Sequence, residues 1–143
     1  MEKCRVAKWV AGVFFGLLAM VPTVFAATPS KMGAAVYFIS PAHGEVVTSP
    51  FKVRFGLVGM GVAPAGVNVS DTGHHHLLVD VDNPDLHDPV PKDDKHMHFG
   101  NGETETELDL PPGKHTLQLL LADQNHVPHK PAVVSRQIII YVQ

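Results

Sequence analysis

The sequence predicts an all-β fold, an immunoglobulin-like β-sandwich of about seven strands. After the first 26 residues, apolar side chains recur at every second position, and no long stretch shows the 3.6-residue period of an α-helix. Glycine and proline, 12 of each in the chain, separate the alternating stretches. Short alternating strands divided by regular turns are typical of sandwiches and barrels. The tryptophan and the cysteine pair of antibody domains are absent from this part, so the likeness is one of architecture.

The individual strands follow from this alternation. The predicted strands are residues 36–40, 51–57, 74–81, 104–110, 115–122 and 133–142. Pro112 and Gly113 are a strong turn signal, so the two strands that flank them are predicted to pair as a hairpin. Nine side chains are expected to point into the core: Phe51, Val53, Phe55, Leu77, Val79, Leu108, Leu117, Leu119 and Ile140.

One connection is unusually long. Residues 82–102 contain Pro84, Pro89 and Pro91 together with many charges, and no regular element of any length fits there. Loops of this length inside a small domain are usually functional or disordered. This loop and the strands that it joins are therefore candidates for a functional site.

The N-terminus has the parts of a secretory signal peptide. A basic start precedes an apolar stretch from Trp9 to Val21, and small residues precede the expected cut after Ala26. The apolar stretch is shorter than the roughly 20 residues that span a bilayer. We therefore expect residues 1–26 to be removed, residues 27–34 to be a flexible lead and residues 35–143 to form the domain, which would be periplasmic or secreted.

The composition excludes several classes of function. The single cysteine, Cys4, lies in the predicted signal, so a disulfide, a thiolate zinc site, an iron–sulfur cluster and a blue-copper site are excluded for the processed protein. The net charge of −3, with histidines neutral, gives no reason to bind nucleic acid or an anionic membrane. Signals for an enzyme are few, because the chain has no nucleophile elbow.

Histidine is the strongest functional signal in the chain. There are 10 histidines, and several are grouped as His74-His75-His76, as His96-Met97-His98 and as His126 with His129. Residues two apart on a strand point the same way, so His74 and His76 can reach one ion together. Imidazole is the commonest metal-ligand side chain and suits zinc, copper(II) and nickel.

This spacing predicts a transition-metal ion, copper(II) or zinc, held by His74, His76, His98 and His115. His115 is included because it begins a strand beside a turn, as His74 does. His126 and His129 are predicted to form a second, weaker site. The role implied is metal capture or delivery in the cell envelope, because nothing in the sequence marks a substrate.

The sequence also permits other interpretations of the histidines. His75 lies on an otherwise apolar face, where a core histidine is common, and whether His75 and His96 are ligands is undecided. His43 and His87 are interpreted as loop residues. The alternative function is a metal-free module that binds a protein or a glycan of the envelope through a pH-sensitive histidine face. A metal-dependent enzyme would need an open coordination position and a pocket.

Four stretches of the chain resemble a known family: Gly73–Asp80, His98–Glu105, Leu110–Asp123 and His126–His129. Over roughly residues 36–142 the chain is similar to small exported bacterial domains of unknown function, sometimes mislabelled as rod shape-determining proteins. The resemblance implies a bacterial, periplasmic β domain and implies no activity. The motif histidines of that family correspond to His74, His75, His76, His98, His115, His126 and His129, with His96 outside the pattern.

Overall fold

The chain folds into two β-sheets in a computed structural model that describes residues 26–143. The predicted signal peptide, apart from Ala26, lies outside the described residues. The strands are β1 (Ala35–Ser40), β2 (Val46–Val47), β3 (Phe51–Val58), β4 (Gly61–Val62), β5 (Thr72–Val79), β6 (His96–His98), β7 (Glu105–Leu108), β8 (Gly113–Ala122), β9 (Pro128–Val134) and β10 (Ile138–Val142).

The all-β class and the sandwich-like arrangement are confirmed. Three of the ten strands between residues 26 and 143 have only two or three residues, which is why the alternation predicts fewer. The immunoglobulin-like variety of this architecture stays a prediction. Between residues 26 and 143, no helix has the length and apolar character that a membrane crossing requires.

The smaller sheet has the strand order β1–β3–β7, and the larger has the order β2–β10–β8–β5–β4. In the larger sheet β6 also pairs with β5, and β9 pairs with β8. Strands β5 and β8 are antiparallel, with His74 opposite Ala122 and Val79 opposite Leu117. The beginning of β5 therefore lies beside the end of β8, and this register determines which loops meet at the candidate site.

The predicted hairpin is wrong. Strand β7 pairs with β3 in the smaller sheet, whereas β8 pairs with β5 and β10 in the larger one. The turn at Pro112 and Gly113 thus carries the chain from one sheet to the other. A proline–glycine turn reverses direction in both cases, so the local sequence does not distinguish a hairpin from a crossover between sheets.

Three further segments differ from the prediction. Residues 133–142 are divided between β9 and β10, because Ser135 leaves the strand and bonds to Leu119 of β8 through its backbone and its hydroxyl. The long loop contains β6, which pairs with β5 over three residues. At the N-terminus, the expected flexible lead lies partly along β9, since Lys130 N–H donates to Thr28 O at 2.9 Å.

The core prediction is confirmed. All nine expected residues are buried, and they form one cluster between the two sheets. A second, smaller cluster lies on the opposite face of β5 and β8, where Val90 from the long loop packs against Leu78 and Leu120. Strand β5 is therefore buried on both faces, and its three histidines are buried with it.

Candidate metal centre

Four imidazole rings meet at one end of the larger sheet. His74 and His76 lie on the face of β5 turned away from the main core, and β6 places His98 directly opposite His76. His126 comes from the connection between β8 and β9, which starts beside His74 because Ala122 is its partner. The six separations between the ring centroids range from 4.7 to 5.9 Å. We call these four residues the histidine cluster.

The ring nitrogens face one another within the cluster. His74 Nε2 and His76 Nε2 are 3.0 Å apart, and His98 Nε2 and His126 Nε2 are 3.1 Å apart. One ligand atom from each of His74, His76 and His98 lies within 4.8 Å of the others. In the neutral His74–His76 pair one Nε2 donates its proton to the other, so coordination of a metal by both Nε2 atoms requires the donor ring to carry its proton on Nδ1 instead.

Burial keeps the inner two rings uncharged. The side chains of His74 and His76 are 0% and 1% exposed. Burial, reinforced by the neighbouring histidines, lowers the pKa of His74 to about 4 and that of His76 to about 2. Burial and the neighbouring His126 also lower the pKa of His98. At neutral pH these imidazoles are therefore in the unprotonated form that metal binding requires.

Asp123 shapes the turn that carries His126. Its Oδ1 accepts the N–H groups of Asn125 and Val127 at 2.9 and 3.1 Å, and its carbonyl accepts His126 N–H at 2.9 Å. His126 has a φ of 66°, a left-handed conformation that is uncommon for a residue other than glycine. The fully buried carboxylate of Asp123 thus holds a strained turn that directs His126 toward β5.

His115 lies away from the cluster. It pairs with Ile140 near the beginning of β8, whereas the cluster adjoins the end of β8 at Ala122. Its Nδ1 donates to Asp80 Oδ2 at 2.8 Å, and its Nε2 donates to Pro111 O at 2.9 Å. Both ring nitrogens bond to acceptors, so His115 stabilises the fold at the end of β8 opposite to the histidine cluster.

His126 and His129 also do not come together as the spacing suggested. The ring of His126 joins the cluster, whereas His129 is buried on β9 with its Nδ1 2.8 Å from Thr28 Oγ1. The sequence places His126 with His129 because it contains no information on the antiparallel register of β5 and β8. With that register, the position of His126 four residues after Ala122 would have identified it.

The remaining histidines have other surroundings. His75 is buried in the main core beside Phe55, with ring centroids 5.3 Å apart, and neither ring nitrogen has a hydrogen-bond partner. His96 Nδ1 lies 2.7 Å from Asp93 Oδ1. His43 Nδ1 accepts Ile139 N–H at 3.2 Å, and His87 is exposed in the long loop. None of these four rings belongs to the cluster.

The Asp80–His115 pair gives a first testable prediction. Burial opposes the charged forms of both groups. The bonds to Asp80 and to the Pro111 backbone nevertheless raise the pKa of His115. The bonds from the Thr116 backbone and from His115 lower the pKa of Asp80. The His115 contribution to stability is therefore complete below its unfolded pKa near 6.5 and is lost as pH rises through the folded value. Asp80 is 42% exposed, so we expect at most about 1 kcal/mol.

Urea unfolding in the presence of a chelator measures this contribution. The difference in free energy of unfolding between the parent and His115→Gln should be larger at pH 6 than at pH 9. A difference that is constant over this range would show that the pair does not stabilise the fold through its charge.

The fold and the site together define a class: a small all-β domain of two sheets with a four-histidine cluster at one end of the larger sheet. The chain belongs to the family described as Domain of unknown function (DUF4399), whose family model matches residues 53–143 and includes all four cluster residues. This match confirms the resemblance to a family of domains of unknown function. No curated protein and no solved structure matches the chain.

Proposed function

We propose that this domain binds one transition-metal ion, copper(II) or zinc, through the histidine cluster. The observation that carries the proposal is the convergence of the ring nitrogens of His74, His76 and His98 within 4.8 Å, with His126 Nε2 in contact with His98 Nε2. An all-nitrogen donor set suits copper(II) and zinc, whereas calcium and magnesium favour oxygen donors and copper(I) favours sulfur.

The energetic cost of the cluster supports this proposal. His74 Nδ1 and His76 Nδ1 are buried and have no hydrogen-bond partner. A buried polar group without a partner costs about 1–3 kcal/mol. The fold therefore holds these rings side by side at the expense of its own stability. A cation bound between the Nε2 atoms would offset that cost through direct bonds to the nitrogen lone pairs, with the one proton of each ring on Nδ1.

The proposed role is metal capture or delivery in the periplasm, after removal of the predicted signal peptide. His74 and His76 are buried, but His98 is exposed and His126 is partly exposed. Metal can therefore reach the cluster from solvent without unfolding of the sheet. The lack of any cysteine after Cys4 fits a site that has to work without thiolate ligands in an oxidising compartment.

The decisive test is a metal titration of protein purified without a histidine tag and stripped with a chelator. Calorimetry with copper(II) and with zinc should give one ion per chain. Ligand present at a thousand times its dissociation constant stabilises the folded state by about 4 kcal/mol, which for a domain of this size raises Tm by more than about 10 °C. An unchanged Tm with both metals would favour a metal-free interaction module and would contradict the proposal.

Asp123 is proposed to orient His74 in the metal-bound state. Asp123 Oδ2 and His74 Nδ1 are both buried and are not hydrogen-bonded to each other, but the charge of Asp123 opposes the lowering of the pKa of His74, as it does for His129. A carboxylate that accepts the second N–H of a ligand histidine fixes the tautomer that coordinates the metal. Asp123→Asn keeps an Oδ1 acceptor for the turn but removes the charge, so metal affinity should fall by about 10- to 100-fold.

The control for this variant is Asp88→Asn, which changes an exposed carboxylate in the long loop. Calorimetric titration of both variants with the same metal gives the comparison, and circular dichroism checks that each remains folded. Equal affinities of Asp123→Asn and the parent would remove Asp123 from the metal centre.

A further inference from the structure

A cavity of about 450 Å³ opens directly onto the histidine cluster. His76, His98 and His126 form one side of it, and Lys92 and Asn125 supply further polar groups. The other wall is apolar and consists of Pro89, Val90 and Pro91 from the long loop. This wall is fixed to the cluster, because Val90 N–H donates to His126 O at 2.9 Å.

The cavity lies on a side from which a bound metal would be accessible. His74 is fully buried and does not line the cavity, so the sheet closes the site behind it. The other three rings face the cavity. Zinc held by three protein ligands keeps a fourth position for an exchangeable ligand, and tetragonal copper(II) can add such a ligand to four nitrogens. In this protein such a position would open into the cavity.

The charge of the cavity favours an anion. Lys92 is the charged side chain among the described residues that line it. A divalent metal held by neutral imidazoles would add further positive charge. Anionic groups are the ligands that such a combination attracts most strongly.

The size of the cavity and its apolar wall restrict the class of anion that fits it. A single inorganic anion would leave most of a 450 Å³ cavity unfilled and would make no use of the surface formed by Pro89, Val90 and Pro91. An organic acid with an apolar body fits both parts of the cavity. Burial of that body against the wall removes apolar surface from water, which favours binding.

We infer that the cavity binds a small organic monocarboxylate whose carboxylate group lies between the metal and Lys92 and whose apolar body packs against the wall at Pro89–Pro91. This inference rests on the proposed function, because the metal supplies one of the two positive charges. It assigns the domain a ternary complex of protein, metal and organic acid.

The test uses the full processed chain loaded with copper(II), or with zinc if copper(II) does not bind. Benzoate, acetate, benzamide and inorganic phosphate are titrated by calorimetry and, for copper(II), by the change in the visible spectrum. Benzoate should bind at least about tenfold more tightly than acetate because of its apolar ring. Benzamide and phosphate should bind more weakly than benzoate, since one lacks the charge and the other the apolar body.

Lys92→Met should weaken benzoate binding by about tenfold and should not weaken metal binding. Lys95→Met is the matched control, because Lys95 belongs to the same loop but does not line the cavity. Equal benzoate affinities of Lys92→Met and the parent, or phosphate binding as tight as benzoate binding, would overturn the inference. Protein that binds metal but no benzoate overturns the inference alone, whereas protein that binds no metal overturns the proposed function and this inference with it.

Discussion

Replacing His98 and His126 together by alanine is expected to lower metal affinity by at least about a thousandfold. A four-ligand zinc site contributes roughly 10–16 kcal/mol, so the loss of two ligands removes several kcal/mol, and each 1.4 kcal/mol is a factor of ten. These two residues are chosen because both are at least partly exposed. Their truncation therefore leaves no cavity in the core, and the metal-free fold should be retained.

His43→Ala/His87→Ala is the matched control, since it removes two exposed histidines outside the cluster. Both double variants are titrated with the same metal after chelator treatment, and their circular dichroism spectra are compared. The control should bind as the parent does. If the variant that lacks His98 and His126 also binds with parental affinity, the cluster is not the metal site. His74→Ala/His76→Ala should lose affinity as well, but it also creates a cavity in a fully buried strand.

The metal-free protein is expected to lose on the order of 5 kcal/mol of stability between pH 7 and pH 5, enough to unfold a marginally stable domain. Burial lowers the pKa of His74 and His75 to about 4 and that of His76 to about 2. In the unfolded chain each titrates near 6.5, so below that pH the unfolded state binds more protons. Stability is therefore complete above pH 6.5 and is lost as pH falls toward the folded values.

His75→Leu separates the core histidine from the cluster in this experiment. The leucine takes up no proton and removes two ring nitrogens that have no partner, so the variant should be more stable than the parent at pH 7 by about 1–3 kcal/mol. The stability gain should be larger still at pH 5. Urea unfolding at several pH values, with a chelator present, provides the measurement. A parent and variant with parallel pH profiles would show that His75 is not kept neutral by burial.

The core residues could be predicted from the sequence because the orientation of a side chain on a strand follows a local rule. Alternation along a strand identifies the inward side chains whatever the strand pairs with, and the nine expected core residues are all buried. Which strands pair with each other depends on contacts between distant parts of the chain. The turn at Pro112 and Gly113 was visible, but the choice between a hairpin and a passage between sheets depends on where β3 and β10 lie.

The candidate site also has a part that the sequence predicts and a part that it does not. The His74–His76 spacing and the position of His98 near the end of the long loop were sufficient to group these three residues. The fourth member was not predicted, because His115 and His126 lie at opposite ends of β8. Only the antiparallel register, with His74 opposite Ala122, decides which end meets the start of β5. A propensity or a motif contains no information about that register.

The unequal burial of the four rings has a consequence for how fast a bound metal could leave. His74 and His76 belong to a strand that is hydrogen-bonded on both sides, whereas His98 lies on a three-residue strand and His126 on a turn. We expect an acceptor to displace the two outer ligands first while the inner pair still holds the ion. Release would then be a second-order exchange that accelerates with acceptor concentration, and the metal would pass between proteins without appearing free in solution.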